Sequence, residues 1–435
     1  MERNVLRQIM IDSKAYARDI TPLKRNIFLD ENVRYIFTGI RQCGKSWEMI
    51  DLMHRYAEKD GWDHILYVNF ETERNVEMGA ADLNTFLELH TEMTGVTKPY
   101  CFFDEIQNIE GWAQFLRRLA DQKFFVCVTG SNSKVLSRDY STVLGGRYYP
   151  QLLFPFSFRE ALQVYGYEGE TDPDRMSTAE KGLVKKYLRE YFYKGGFPEF
   201  IGSPIQLNQV QNLYRTLYIG DIAARNRISN MQGLRLTYLK IAECIGDQVS
   251  YKRIADVVTA AGCTIRNETV MNYIDAARDS YLIFTIRNMN GAMVEREGRP
   301  KHYFIDNGIL HALLPVQSDG QYFENQIALL LFEKYHTCDD PITTEFWYYH
   351  NGIEVDFYVP AKKMAVQACY TLNPGTDKYE GTVKREAGDL VTFSSRYECE
   401  KKYVITYEKE ELPEEYTSQG IETLTLLDVM LKDIL

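Results

Sequence analysis

Residues Gly39-Ile40-Arg41-Gln42-Cys43-Gly44-Lys45-Ser46 read G-x-x-x-x-G-K-S, and few octapeptides constrain a fold so tightly. The glycines let the chain curl until several backbone N–H groups face one anion. Lys45 adds a point charge suited to β- and γ-phosphates, and Ser46 offers a hydroxyl to a divalent cation. Such a loop works only between a strand and a helix. Arg34 to Thr38 is a short apolar run that predicts the strand, and Trp47 to His54 predicts the helix, its positive N-terminus under the phosphates. The candidate cradle is therefore Gly39, Ile40, Arg41, Gln42, Cys43, Gly44, Lys45, Ser46 and Trp47, and the cofactors it fits are ATP and Mg2+.

A second motif completes the first. Tyr100-Cys101-Phe102-Phe103-Asp104-Glu105 is an apolar strand that ends in two acids. Asp104 at a strand end can stand beside Ser46 and hold the metal, and Glu105 can orient or deprotonate an attacking water. Phosphoryl transfer asks for little else than positioning and neutralised charge. His64 to Phe70 predicts another strand between the two motifs. With the paired acids, it gives a pattern that resembles the additional-strand, catalytic-glutamate class of P-loop ATPases.

Phe124 to Gly130 predicts one more buried strand, followed by Ser131 and Asn132. Either residue can hydrogen-bond an attacking water or a γ-phosphate, and either can equally serve the turn. Arg147 follows on a Gly-Gly turn, where it is a candidate arginine finger. Arg138 is its rival, and for both a surface salt bridge is the alternative.

The chain resembles the AAA-type ATPases with the AAA_14/DUF4143 architecture. The match rests on the loop at 39–46, on Phe102-Phe103-Asp104-Glu105-Ile106-Gln107-Asn108, on Thr129-Gly130-Ser131-Asn132-Ser133, on Gly146-Arg147-Tyr148, and on Phe154-Pro155-Phe156-Ser157-Phe158-Arg159-Glu160. Further motifs are Gly195-Gly196-Phe197-Pro198-Glu199, Tyr303 to Gly308, Glu324-Asn325 and Gly352 to Phe357. The later motifs carry no settled chemistry. The fold the resemblance implies is α/β: a P-loop AAA-type core with a helical lid, a winged helix-turn-helix, and a C-terminal restriction-endonuclease-like α/β domain. The expected divisions are 1–205, 206–310 and 311–435.

At 435 residues the chain is long enough for several cores. A net charge of −11 argues against wholesale coating of nucleic acid. The eight cysteines include no C-x-x-C pair, a usage that suits a reducing, cytoplasmic setting. No run of 18 apolar residues predicts a membrane span.

The middle of the chain predicts helices over Leu207–Arg227, Leu236–Ile245, Ser250–Val258 and Asn267–Ser280, then two strand-like runs at Tyr281–Arg287 and Lys301–Ile305. Three helices and a hairpin make a winged helix. From Thr264 to Leu282 two arginines face three acids, net −1, which suits phosphate poorly; from Thr285 to His302 four basic residues face two acids, net +2. DNA contact and protein docking both stay open.

In the last segment, Glu324 on a helix, Asp356 on a strand and Gln367 on the next strand resemble the restriction-endonuclease core. That chemistry needs a second anion and a lysine two residues on, where this chain has Gln367 and Cys369. The segment is therefore expected to be nuclease-like in fold and spent as a nuclease. Taken together, the sequence reads as an Mg-dependent ATPase switching a protein or nucleic-acid partner. The alternatives are an ATP-gated DNA-processing enzyme and an ATP-state binding module with little turnover.

Overall fold

The computed structural model describes residues 1–25, 27–71, 78–131, 143–203, 207–216, 222–314, 318–337 and 344–435. They form two compact units, Met1–Phe154 and Pro155–Thr337 together with the C-terminal residues to Leu435. The sequence reading had divided the chain in three, with the lid grouped with the core; here the lid helices lie in the second unit.

The first unit is built on five parallel strands: β1 (Tyr35–Thr38), β2 (Ile65–Asn69), β3 (Tyr100–Asp104), β4 (Val126–Gly130) and β5 (Tyr149–Leu152). Their order is β2-β3-β4-β1-β5. β1, β3 and β4 are nearly unbroken apolar runs because a parallel sheet is covered on both faces. The helix Lys45–Asp60 packs against β1, β2, β3 and β4, and Arg3–Asp19 packs on β2. The strand that stands between β1 and β3 is β4. The His64–Phe70 segment forms a strand as expected, β2, and takes the edge beyond β3. The first helix stops at Asp19, and Pro22 follows.

In the second unit, Ser157 with Glu160 and Ser177 with Glu180 form capping boxes that start the helices Phe158–Val164 and Thr178–Lys194. Helices Met231–Glu243, Tyr251–Ala260 and Asn267–Asp279 lead into an antiparallel hairpin of β6 (Ile283–Ile286) and β7 (Lys301–Phe304), the expected winged-helix order. Leu207–Thr216 is helical, and the remainder of the helix expected to reach Arg227 crosses residues outside the described set. A mixed sheet follows: β8 (Trp347–His350), β9 (Glu354–Val359), β10 (Met364–Ala368), β11 (Lys401–Thr406) and β12 (Ile421–Thr425), in the order β12-β11-β10-β9-β8. β8, β9 and β10 are antiparallel neighbours; β10, β11 and β12 run parallel. Helix Asp319–Tyr335 packs on β7 and β10, and Tyr379–Ser394 on β9, β10 and β11.

Three motifs with no settled chemistry meet in one hydrogen-bonded node. The Asp306 carboxylate accepts from Gly196 N at 2.7 Å, Gly308 N at 2.8 Å and Ile309 N at 3.2 Å. It thus caps helix Asn307–Leu313 and grips the Gly195-Gly196 turn at once. A Cβ at Gly195 would meet Asp306 Oδ1 at 2.0 Å, so only glycine fits there. Asn307 donates to Phe192 O and Tyr322 O, and Asn325 donates to Phe304 O and Asn307 Oδ1. The node joins the end of helix Thr178–Lys194, the exit of the hairpin and helix Asp319–Tyr335.

Candidate nucleotide site

The loop after β1 has the backbone its glycines allow. Gly39 has φ 140° and Gly44 φ 98°, and Gln42 at φ 64° is a non-glycine in the left-handed region. A Cβ on Gly39 would lie 2.2 Å from the Leu153 carbonyl oxygen, so the loop runs against the segment after β5. Lys45 is buried, and its ammonium donates to Gly39 O at 3.1 Å and Ile40 O at 2.9 Å. Cys43 is fully buried with Sγ 3.3 Å from Leu153 O, so its side chain packs the loop against the segment after β5. Arg41 pairs with Glu71 beyond β2. Trp47, on the first turn of helix Lys45–Asp60, is 48% exposed beside the loop.

Because β1, β3 and β4 are parallel, their carboxyl ends share one edge, the usual ligand edge of such sheets. Asp104 ends β3, is buried, and lies beside the Ser46 hydroxyl. Thr129 on β4 donates its hydroxyl to Asp104 Oδ1, Tyr67 donates to Oδ2 at 3.3 Å, and Thr129 Oγ1 accepts from Glu105 N at 2.8 Å. Burial pushes the Asp104 carboxyl above its ordinary range, and the adjacent Glu105 charge adds to this. Donation from Thr129 and Ser46 and the Lys45 charge oppose it.

Glu105 has φ 51°, uncommon for a side-chain-bearing residue, and its carboxylate accepts from Ser131 Oγ at 3.0 Å, Ser131 N at 3.3 Å and Gln107 Nε2. Lys45, Ser46, Asp104 and Glu105 are thus brought together, and Ser131 joins them through Glu105. Asn132 and Arg138 lie outside the described residues.

Arg147 is not brought to this edge. Its guanidinium pairs with Asp121 at 2.6 Å and donates to Leu144 O and Gly145 O. Tyr149 pairs in register with Tyr35, at the start of β1, while the loop follows Thr38 at its end. Three strand steps of about 3.3 Å put Arg147 roughly 10 Å or more from the loop, at the opposite end of the sheet. The expected finger role therefore fails within one chain, because the Gly-Gly turn precedes a strand that begins at the far edge.

In the second unit the structure departs further from the sequence reading. Gln367 is not aimed at a metal: its Oε1 accepts from Asp356 N at 2.8 Å and its Nε2 donates to Glu354 O at 3.0 Å, clamping β10 to β9. Cys369 is buried, and burial pushes its thiol up. Glu324 and Asp356 face Lys301 of β7, at 3.4 and 3.7 Å. On helix Asn267–Asp279 the exposed residues include Asn267, Glu268, Met271, Asn272 and Asp275, a neutral-to-acidic face.

Residues 30–162 match the family model AAA_14, an AAA domain. The first unit carries an AAA-type P-loop core. Residues 185–320 match a domain of unknown function, DUF8612, where DUF4143 had been the expected architecture. An uncharacterized protein of Methanocaldococcus jannaschii is 27% identical over 373 residues, covering 84% of this chain and 81% of its own length. One from Haemophilus influenzae is 25% identical over 336 residues, covering 74% and 78%. Among solved structures, the Walker-type ATPase of Pyrococcus abyssi gives a TM-score of 0.36 at 14% identity, covering 72% of this chain and 95% of that one. The Aeropyrum pernix ORC1 protein, solved in complex with DNA, gives 0.32 at 15%, covering 72% and 92%. Among the described residues no helix is long and apolar enough to cross a membrane.

Sequence reasoning missed three contributors to the AAA-type site. Thr129 bridges both acids, a role visible only once β3 and β4 are neighbours. Gln107 reaches back two residues to Glu105. Arg25 donates to Cys43 O at 3.3 Å and Phe154 O at 3.1 Å, tying the lead-in segment to the loop. For Arg25 the sequence holds no signal, since nothing in its neighbourhood marks the fold-back.

Proposed function

We propose that the chain is an Mg-dependent ATPase that acts as a conformational switch on a protein partner. The observation that carries the reading is the meeting of Lys45, Ser46, Asp104 and Glu105 at one sheet edge. The residues fit the cofactor. The left-handed glycines open the backbone toward an anion, and the Lys45 ammonium, which donates to loop carbonyls, suits phosphate oxygens. Ser46 and Asp104 would hold Mg2+, and a carboxyl raised by burial is one that a cation draws back to its charged form. Bound Mg2+ neutralises charge on the transferring phosphoryl group.

Glu105 is the group that takes or orients the proton of the attacking water. Ser131 and Gln107 hold its carboxylate in the meantime, which also supports the slower variant of this reading, a module that reads ATP as a state signal with little turnover. Trp47 stands exposed where a base or ribose can rest. An arginine finger from Arg147 would have to be donated to another copy of the chain, and Asn132 keeps its candidate role beside Ser131. Cytoplasmic residence, as the cysteine usage suggests, belongs to the same reading.

The acidic exposed face of helix Asn267–Asp279 favours a protein over DNA as the partner of the winged helix. The ATP-gated DNA-cutting alternative, and with it the DUF4143-type nuclease-like domain, draws little support from Gln367 and Cys369. Hydrogen exchange on Glu105→Gln with MgATP, MgADP or neither tests the switch. Protection in the second unit should differ between the ATP and ADP states; identical profiles there would leave an ATPase without a switch.

A further inference from the structure

Three carboxylates of the second unit converge on one ammonium. Lys301 Nζ lies 2.9 Å from Glu354 Oε1, 3.4 Å from Glu324 Oε1 and 3.7 Å from Asp356 Oδ1. The acids come from helix Asp319–Tyr335 and from β9, whereas the lysine comes from the winged-helix hairpin. Its side chain is 1% exposed, and its fourth side is closed by the Tyr348 ring, 5.3 Å from the ammonium to the centroid. Tyr303, two residues along β7 and so on the same face, donates to Glu324 Oε1 at 2.7 Å. Asp356 Oδ2 accepts from Ala368 N at 2.9 Å, which fixes the acid on its strand.

The three acids line a cavity of about 500 Å3, which Arg385, paired with Glu386, also lines. Three oxygen donors, one from a helix and two from one strand, gathered on one point resemble the arrangement a divalent cation uses. Here the point is taken by a side chain. No group of three or more His, Cys, Asp or Glu among the described residues is disposed to hold a metal.

We propose that Lys301 is the resident cation of this cluster of acids, standing where a divalent metal would otherwise bridge Glu324, Glu354 and Asp356, and latching the β6–β7 hairpin to the five-stranded sheet. The balance of charge explains why it stays. A buried ammonium is costly alone, and so are three acids brought this close; each is tolerated because the other is there. Burial opposes the Lys301 charge, yet Glu324, Asp356 and Glu354 hold its ammonium above the ordinary value. Burial and the neighbouring Glu324 push Asp356 well up. Glu386 is raised as well, chiefly by burial, although Arg385 pairs with it. Removing the lysine leaves three oxygen donors without the cation they surround.

The test is Mn2+ binding to the full chain without nucleotide, read by the loss of the free-ion electron paramagnetic resonance signal. Lys301→Ala should bind one Mn2+ more tightly than wild type by roughly tenfold or more, and should gain thermal stability from Mn2+ that wild type does not. Adding Asp356→Asn to Lys301→Ala should remove the gain. If Lys301→Ala does not fold alone, recovery of folding in Mn2+ carries the same meaning. Equal Mn2+ affinity in wild type and variant would overturn the proposal, and so would failure to fold with and without the ion. A second measurement needs no variant: amine acylation of native protein followed by mass spectrometry. Lys301 should stay unmodified while exposed Lys59 reacts; equal rates would show that the ammonium is not latched.

Discussion

The Ser131 hydroxyl donates to the Glu105 carboxylate at 3.0 Å, linking the tip of β4 to the acid that follows β3. Sequence reasoning had set Ser131 beside a water or a phosphate; its partner here is the glutamate itself. Glu105→Gln should keep MgATP affinity within a few-fold yet lose turnover by about 10²-fold or more, since an amide cannot take the proton. Equilibrium binding and steady-state hydrolysis separate the two. A parallel fall in affinity and rate would make Glu105 a binding or folding residue.

Gly39→Ala should destabilise the first unit and weaken nucleotide binding. The added methyl would meet a backbone oxygen at 2.2 Å, in a conformation at φ 140° that side chains rarely adopt. Strain of this kind costs on the order of 1–3 kcal/mol, read as a lower denaturation midpoint. Unchanged stability would mean that the loop and the Leu153 segment separate at no cost.

Asp306 predicts a pH dependence. Burial pushes its carboxyl up to about 7, against the pull of three backbone N–H donors. Its folded value is raised, so between about pH 4 and 7 the folded chain holds a proton that the unfolded chain has released. The contribution of Asp306 to stability is therefore greatest in acid and falls as pH rises through that window, by roughly 1–4 kcal/mol. Asp306→Asn keeps an oxygen acceptor and should flatten this part of the curve. The check is urea unfolding of both proteins at several pH values; parallel curves would contradict it.

Arg147→Ala should leave turnover intact at low protein concentration and cost less than about 1 kcal/mol of stability, because its half-exposed pair with Asp121 stands far from the loop. A large loss of rate, with specific activity rising with concentration in the wild type, would instead assign Arg147 to a neighbouring subunit.

The AAA-type core was legible because its signals are local. Apolar runs marked β1, β3 and β4, the glycines marked the loop, and Asp104-Glu105 closed a strand. What escaped depends on partners far away in sequence. That β4 separates β1 from β3 follows from pairing. That Gly195-Gly196 answers Asp306 spans more than a hundred residues. Gln367 looked like a weakened metal ligand because residue type alone does not reveal that both ends of its amide are held by the backbone of β9. Lys301 looked like one more basic residue of a hairpin, and only packing of that hairpin against β9 turns it into a counter-ion.

The most direct test of the account is ATP hydrolysis by wild type and Lys45→Ala, with and without Mg2+. Lys45 is the fixed cation of the cradle, buried on the loop carbonyls. Wild type should hydrolyse ATP only with the metal present, and Lys45→Ala should lose nucleotide binding or turnover altogether. Wild-type turnover in Lys45→Ala, or no Mg-dependent hydrolysis by wild type under any nucleotide concentration tried, would contradict the assignment of this loop as the working site.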